Sequence, residues 1–133
     1  MSFDDAEKSA LTTHVLEFVV PGAPVGYTVM AGKWSHRKTK YVAYKKYVQE
    51  CCEANGISLP LLASKECFAR IVTKSYFVNG VHPDPENVHK GVKDAMFYKA
   101  KGGDKYTGGE YSHPLYDKEN PRVEVRIEYP RKP

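Results

Sequence analysis

The stretch His82-Pro-Asp-Pro-Glu-Asn-Val-His-Lys-Gly-Val-Lys-Asp94 decides how the chain folds. It follows a run rich in β-branched and aromatic residues, Cys67 to Val78, which reads as a long central strand and turns at Asn79-Gly80. Asp84 suits a helix N-cap, Pro85 the first helical position, and Glu86 the first turn, where the helix dipole favours negative charge. Val88, Val92, Ala95 and Met96 then fall on one face of a helical wheel. Glu86, Lys90 and Asp94, spaced by four, line the other face. Phe97 falls on that polar side, so the helix is expected to end near it. A strand thus feeds a helix whose start gathers two carboxylates, an amide and a lysine between Asp84 and Lys90. Such a start is either a well-capped helix or a metal-dependent active site, and at this level both readings stand.

Upstream, His14 to Val20 reads as a strand stopped by Pro21-Gly22, behind a polar segment, residues 1–12, expected to be flexible. Ala23 to Lys40 mixes Pro and Gly with Lys33, His36, Arg37, Lys38 and Lys40, and is expected to form a loop or loose hairpin. Tyr27, Trp34 and Tyr41 interleave with these cations, a mixture that stacks on bases while neutralising phosphates, or one whose aromatics simply fold back on the core. From Val42 to about Asn55 a helix is expected, with Tyr44, Tyr47, Val48, Cys51 and Cys52 on its apolar side and Asn55-Gly56 as its stop. Lys45 and Lys46 extend the basic segment onto that helix.

Downstream of the central helix, Lys101 to Gly109 is a glycine-rich loop whose single carboxylate is Asp104. It reads as a flexible hairpin tip or as an arm of a site. Arg122 to Tyr129 alternates strictly, with Val123, Val125, Ile127 and Tyr129 on the buried face, and ends at Pro130. The order of elements predicts one α+β domain over residues 13–133, with a small mixed or antiparallel sheet flanked by two main helices.

A length of 133 residues with 41% hydrophobic content supplies one core, not two. The net charge of +4 tolerates a polyanionic partner without requiring one. No apolar run is long enough to span a bilayer and the N-terminus is too polar for a signal peptide, so a soluble, intracellular protein is expected. Three cysteines, Cys51, Cys52 and Cys67, make a poor disulfide framework and read as small core or half-buried residues. His82, His89 and His113 form no zinc-binding spacing with them, and neither a Walker A loop nor a Gly-x-Ser-x-Gly elbow is present. The Pro83-Asp84 and Glu86/Lys90 pattern has the wrong Glu-to-Lys spacing for a PD-(D/E)xK nuclease.

A Mg²⁺ ion needs hard oxygen ligands and keeps waters and substrate phosphates in its octahedron. Asp84, Glu86 and Asp104 supply such a set if the glycine loop folds over the helix start. Clustered carboxylates raise one another's pKa unless a cation intervenes, and Lys90, one turn beyond Glu86, can play that part or face a scissile phosphate.

The run Asp84-Pro-Glu-Asn-Val-His-Lys90, then Asp94-Ala95, then Gly-Asp104-Lys resembles the signature of the RusA family of Holliday junction resolvases. That signature is an Asp-x-Asp-Asn-x-x-Lys run, an Asp-Ala pair and an acidic pair. Phe18-Val-Val-Pro-Gly-Ala-Pro-Val25 and Pro121-Arg-Val-Glu-Val-Arg-Ile127 are also similar to phage-borne members, and the resemblance spans about residues 15 to 129. It implies metal-binding acids at Asp84, Glu86 and Asp104, an essential lysine at Lys90 and an amide at Asn87. It also places an acid at Asp94, which would orient Lys90 across one turn. The implied activity is a Mg²⁺- or Mn²⁺-dependent endodeoxyribonuclease, a homodimer that nicks two strands of a four-way junction symmetrically. Phosphate contacts are expected from Lys33, Arg37, Lys38, Lys40, Lys45 and Lys46. Glu86 stands where the family usually has Asp, and Gly103 where the acidic pair has its first member. The alternative is a non-catalytic DNA-binding protein whose carboxylates only cap the helix.

Overall fold

The computed structural model describes residues 14–28, 35–99 and 103–130, the side chains of 103 and 104 excepted. Its strands are β1 (His14–Pro21), β2 (Ala69–Phe77), β3 (Thr107–Tyr111), β4 (Leu115–Tyr116) and β5 (Arg122–Tyr129). The helices are α1 (His36–Ala54) and α2 (Pro85–Met96), and a short 3-10 turn covers Gly103–Tyr106. The strands form one mixed sheet in the order β1-β5-β2-β3, with β4 also on β2. β5 is antiparallel to both β1 and β2, whereas β3 and β4 run parallel to β2. The α+β architecture with a mixed sheet and two helices is the one expected.

Period-two alternation puts one sheet face in the core. On β2, Ala69, Ile71, Thr73, Ser75 and Phe77 are buried, and on β5 so are Val123, Val125, Ile127 and Tyr129. Both helices cover this face, α2 through Val88, Val92, Ala95 and Met96, and α1 through Tyr44, Val48 and Cys52. Cys51 and Cys67 are half-buried, and all three cysteines are free thiols. The C-terminal carbonyls of α2, which lack partners within the helix, are taken up from outside it. Gln49 Nε2 donates to Ala95 O at 2.9 Å and the Leu61 amide to Met96 O at 2.9 Å.

The other sheet face is a ladder of paired charges. Arg70 bridges Glu110 and Glu128, and Arg126 pairs with Glu17 at 3.0 Å. A shallow concavity of about 620 Å³ lies on this side, lined by Glu17, Val19, Val72, Lys74, Glu124 and Arg126, away from the carboxylates of α2. Glu17 and Arg126 pair across it, and Glu124 pairs with Arg122 at 3.1 Å.

Three sequence expectations are corrected. Helix α1 begins at His36, not Val42, because Ser35 caps it and accepts from the Lys38 amide at 3.4 Å. Arg37, Lys38 and Lys40 are therefore helical. The stretch from Lys101 to Gly109 is not a loop throughout, since Gly108 and Gly109 lie in β3 opposite Arg70 and Ile71. A ladder needs only backbone donors and acceptors, so glycines can enter it without leaving an alternating pattern in the sequence. Tyr47, expected on the apolar side, is 38% exposed. Helix α2 ends at Met96 as expected, with Phe97 as its C-cap residue, buried at 7% exposure.

Candidate active site

The start of α2 carries the carboxylates. Asp84 is the N-cap, with extended backbone (φ −63°, ψ 136°), and its carbonyl accepts from the Val88 amide at 3.1 Å. Its side chain makes no capping hydrogen bond. The carboxylate is therefore held at the helix start by backbone geometry and Pro85, and remains on the surface. Glu86 follows in the first turn, also exposed, and Asn87 is partly buried beside it.

The turn before Asp84 is pinned by His82. Its ring stacks on Phe77 at 3.9 Å and 12°, with Nδ1 2.8 Å from Pro83 O and Nε2 3.0 Å from the Tyr116 hydroxyl. The end of β2, the tip of β4 and the start of α2 are thus fixed to one another. Sequence reading considered His82 only as a zinc ligand. Its stacking role depends on Phe77 and Tyr116, which come close only once β4 pairs with β2.

Along α2, His89 faces the sheet, where Nδ1 lies 2.8 Å from the hydroxyl of the fully buried Thr73. Burial, with Lys93 nearby adding to it, lowers the His89 pKa from 6.5 to about 4. The unfolded chain then binds one more proton than the native protein between those values, so stability is lost as pH falls through that window. Discounted for the ring's partial exposure, the loss is about 1–2 kcal/mol. Urea midpoints measured above and below the window check this, and a His89→Gln variant should lose that part of the pH dependence.

A strap, residues 22–28, crosses the first half of α2. The Tyr27 amide donates to Asn87 O at 2.9 Å. At Gly26 an added Cβ would meet Pro83 Cβ at 2.9 Å and Asn87 Cβ at 3.3 Å, and at Gly91 one would meet the Tyr41 ring at 3.0 Å. Backbone and ring approach this closely only because both positions lack a side chain. Lys90 Nζ rests 4.2 Å from the centroid of the Tyr27 ring. Tyr27 meets Tyr41 edge-on at 5.4 Å and 76°, and Lys45 Nζ lies 5.3 Å from the centroid of Tyr41. The Tyr41 hydroxyl donates to Asp94 Oδ2 at 3.4 Å, and burial followed by the charge of Asp94 raises its pKa well above the ordinary phenol value.

Helix α2 thus brings Asp84, Glu86, Asn87, Lys90 and Asp94 onto one element, with Asp94 turned toward Tyr41. Asp104 falls in the 3-10 turn before β3, and its side chain lies outside the described residues, as do Lys33 and Trp34. Tyr41, weighed as a base-stacking residue, is 1% exposed and belongs to the helix seam. Arg37, Lys40 and Lys46 are exposed on α1, Lys45 is half-buried, and Lys38 is buried at 5% exposure.

Among the described residues, no three His, Cys, Asp or Glu side chains converge as a metal cluster. Mg²⁺ is commonly held by one or two carboxylates together with waters and phosphates, and the uncapped Asp84 carboxylate with Glu86 meets that donor requirement. No described helix is long and apolar enough to cross a membrane.

In comparisons with known proteins, the family model described as Endodeoxyribonuclease RusA matches residues 21–128. No curated protein matches the chain.

Proposed function

Since the chain belongs to the RusA endodeoxyribonuclease family, we propose that it resolves four-way DNA junctions by divalent-metal-dependent hydrolysis of paired phosphodiesters, acting inside the cell as a homodimer. The observation that carries this reading is the state of Asp84. It occupies the cap position yet leaves its carboxylate unused by the helix, beside Glu86 and one turn before Lys90. Capping alone gives no reason for that arrangement.

Asp84 and Glu86 would hold the cation, with Asp104 as a third acid from the turn before β3. A bound Mg²⁺ or Mn²⁺ supplies water activation at neutral pH and charge neutralisation on the phosphate. The protein's own groups do the rest. The Lys90 ammonium offers a positive charge where negative charge builds on the phosphate, and Asn87 offers amide donors beside the acids. Because these groups lie on an open helix face and not in a cavity, they can meet the backbone of a duplex arm. Arg37, Lys40 and Lys46, exposed on α1, together with Lys33 and Lys45, are proposed to meet further phosphates, whereas Lys38 is buried.

Incubating the protein with four-way, forked and linear duplex DNA, with and without Mg²⁺, tests the proposal. Paired nicks confined to the four-way junction and dependent on Mg²⁺ are expected. Junction binding without cleavage in either Mg²⁺ or Mn²⁺ would leave a DNA-binding protein and overturn it.

A further inference from the structure

We propose that Tyr27 is a positioning residue for Lys90, its ring holding the ammonium at the helix face that carries Asp84 and Glu86. The inference rests on the reading of Lys90 as part of the catalytic site. A lysine head on a flexible four-carbon stem samples many positions, and a charge that acts on a developing phosphate charge must be held still. Lys90 is exposed, and the Tyr27 ring lies 4.2 Å from its Nζ, within cation–π range.

The ring is itself fixed from three directions. The Tyr27 amide is tied to Asn87 O at 2.9 Å, one turn before Lys90. Gly26 seats the strap against Pro83 and Asn87. Tyr41, fully buried and donating to Asp94, meets Tyr27 edge-on from below. Lys45 Nζ lies over the Tyr41 ring, so two cations on two helices meet one aromatic pair. Asp94 acts here through Tyr41 and Tyr27, a longer route to Lys90 than the single helical turn between them. The contact with Lys90 is made by the face of the Tyr27 ring.

The test pairs cleavage with a readout that does not depend on it. In the free protein, the Lys90 side-chain methylene protons should show an upfield ring-current shift by NMR, retained in Tyr27→Phe and lost in Tyr27→Leu. Single-turnover cleavage of a four-way junction should fall roughly 3–30-fold in Tyr27→Leu, the rate equivalent of one cation–π contact, with the junction Kd unchanged. Tyr27→Phe should restore it, and ring-fluorinated phenylalanines at this position should slow cleavage in step with the loss of negative charge on the ring face. An unshifted Lys90 in the wild type would overturn the positioning role whatever the nuclease result. So would full cleavage by a folded Tyr27→Leu protein. If the shift is present but Lys90→Ala cleaves at the wild-type rate, the catalytic reading of Lys90 falls, and the positioning role falls with it.

Discussion

Replacing Asp84 with asparagine is expected to slow junction cleavage by about 10²–10³-fold, the scale of losing a principal charge-stabilising group at a reacting phosphate. The substitution keeps the size and shape of the side chain and removes only its charge. Since the native carboxylate makes no capping hydrogen bond, the cost to folding is confined to the helix-dipole term, about 0.3–1 kcal/mol. Junction affinity should hold or rise, because a negative charge facing phosphate has been removed. Single-turnover cleavage, gel-shift affinity and thermal unfolding of the same preparation separate the three effects. Wild-type cleavage by the asparagine protein would overturn the assignment of the acids. A large loss of stability with unaltered cleavage would return Asp84 to the role of a cap.

The second large effect is expected at Gly26, away from the acids. A valine there must find room where even a Cβ lies 2.9 Å from Pro83 Cβ and 3.3 Å from Asn87 Cβ. The strap and the start of α2 have to separate, at a cost of about 1–3 kcal/mol, as for other overpacked contacts. Separation also lifts Tyr27 from Lys90 and strains the hydrogen bond from its amide to Asn87 O. Gly26→Val is therefore expected to lose both stability and cleavage, whereas Gly26→Ala should show a smaller loss of each. Urea unfolding and junction cleavage measured side by side check the pairing. A valine variant of native stability and native rate would show that the strap does not bear on the site.

Much of this arrangement is legible in the residues themselves. The start of α2 at Pro85 follows from Asp84-Pro85, and its buried face from the spacing of Val88, Val92, Ala95 and Met96. The inward residues of β5 follow from alternation. What was not legible depends on partners distant in the chain. The early start of α1 turns on one capping serine within a basic stretch whose composition reads as loop. Strand β3 carries Gly108-Gly109 and is defined by pairing with β2, which no local pattern reports. At the site, the acids and Lys90 could be named from one helical stretch, whereas the Tyr27 and Tyr41 contacts exist only because the strap crosses α2. The sequence leaves those rings either to stack on bases or to fold back on the core, and the fold sets Tyr27 against a buried Tyr41.

The first turn of α1 contains no acidic residue, while His36, Arg37 and Lys40 all lie exposed at the positive end of its dipole. In the free protein this is local frustration, since like charge gathers where the backbone already carries a partial positive charge, and tertiary packing of Tyr41 and Tyr44 must hold the turn together. In the proposed junction complex the sign reverses, because each phosphate that approaches relieves the repulsion and tightens the turn. If these side chains meet phosphates as proposed, stability at this end of the helix and occupancy by DNA would be one linked equilibrium.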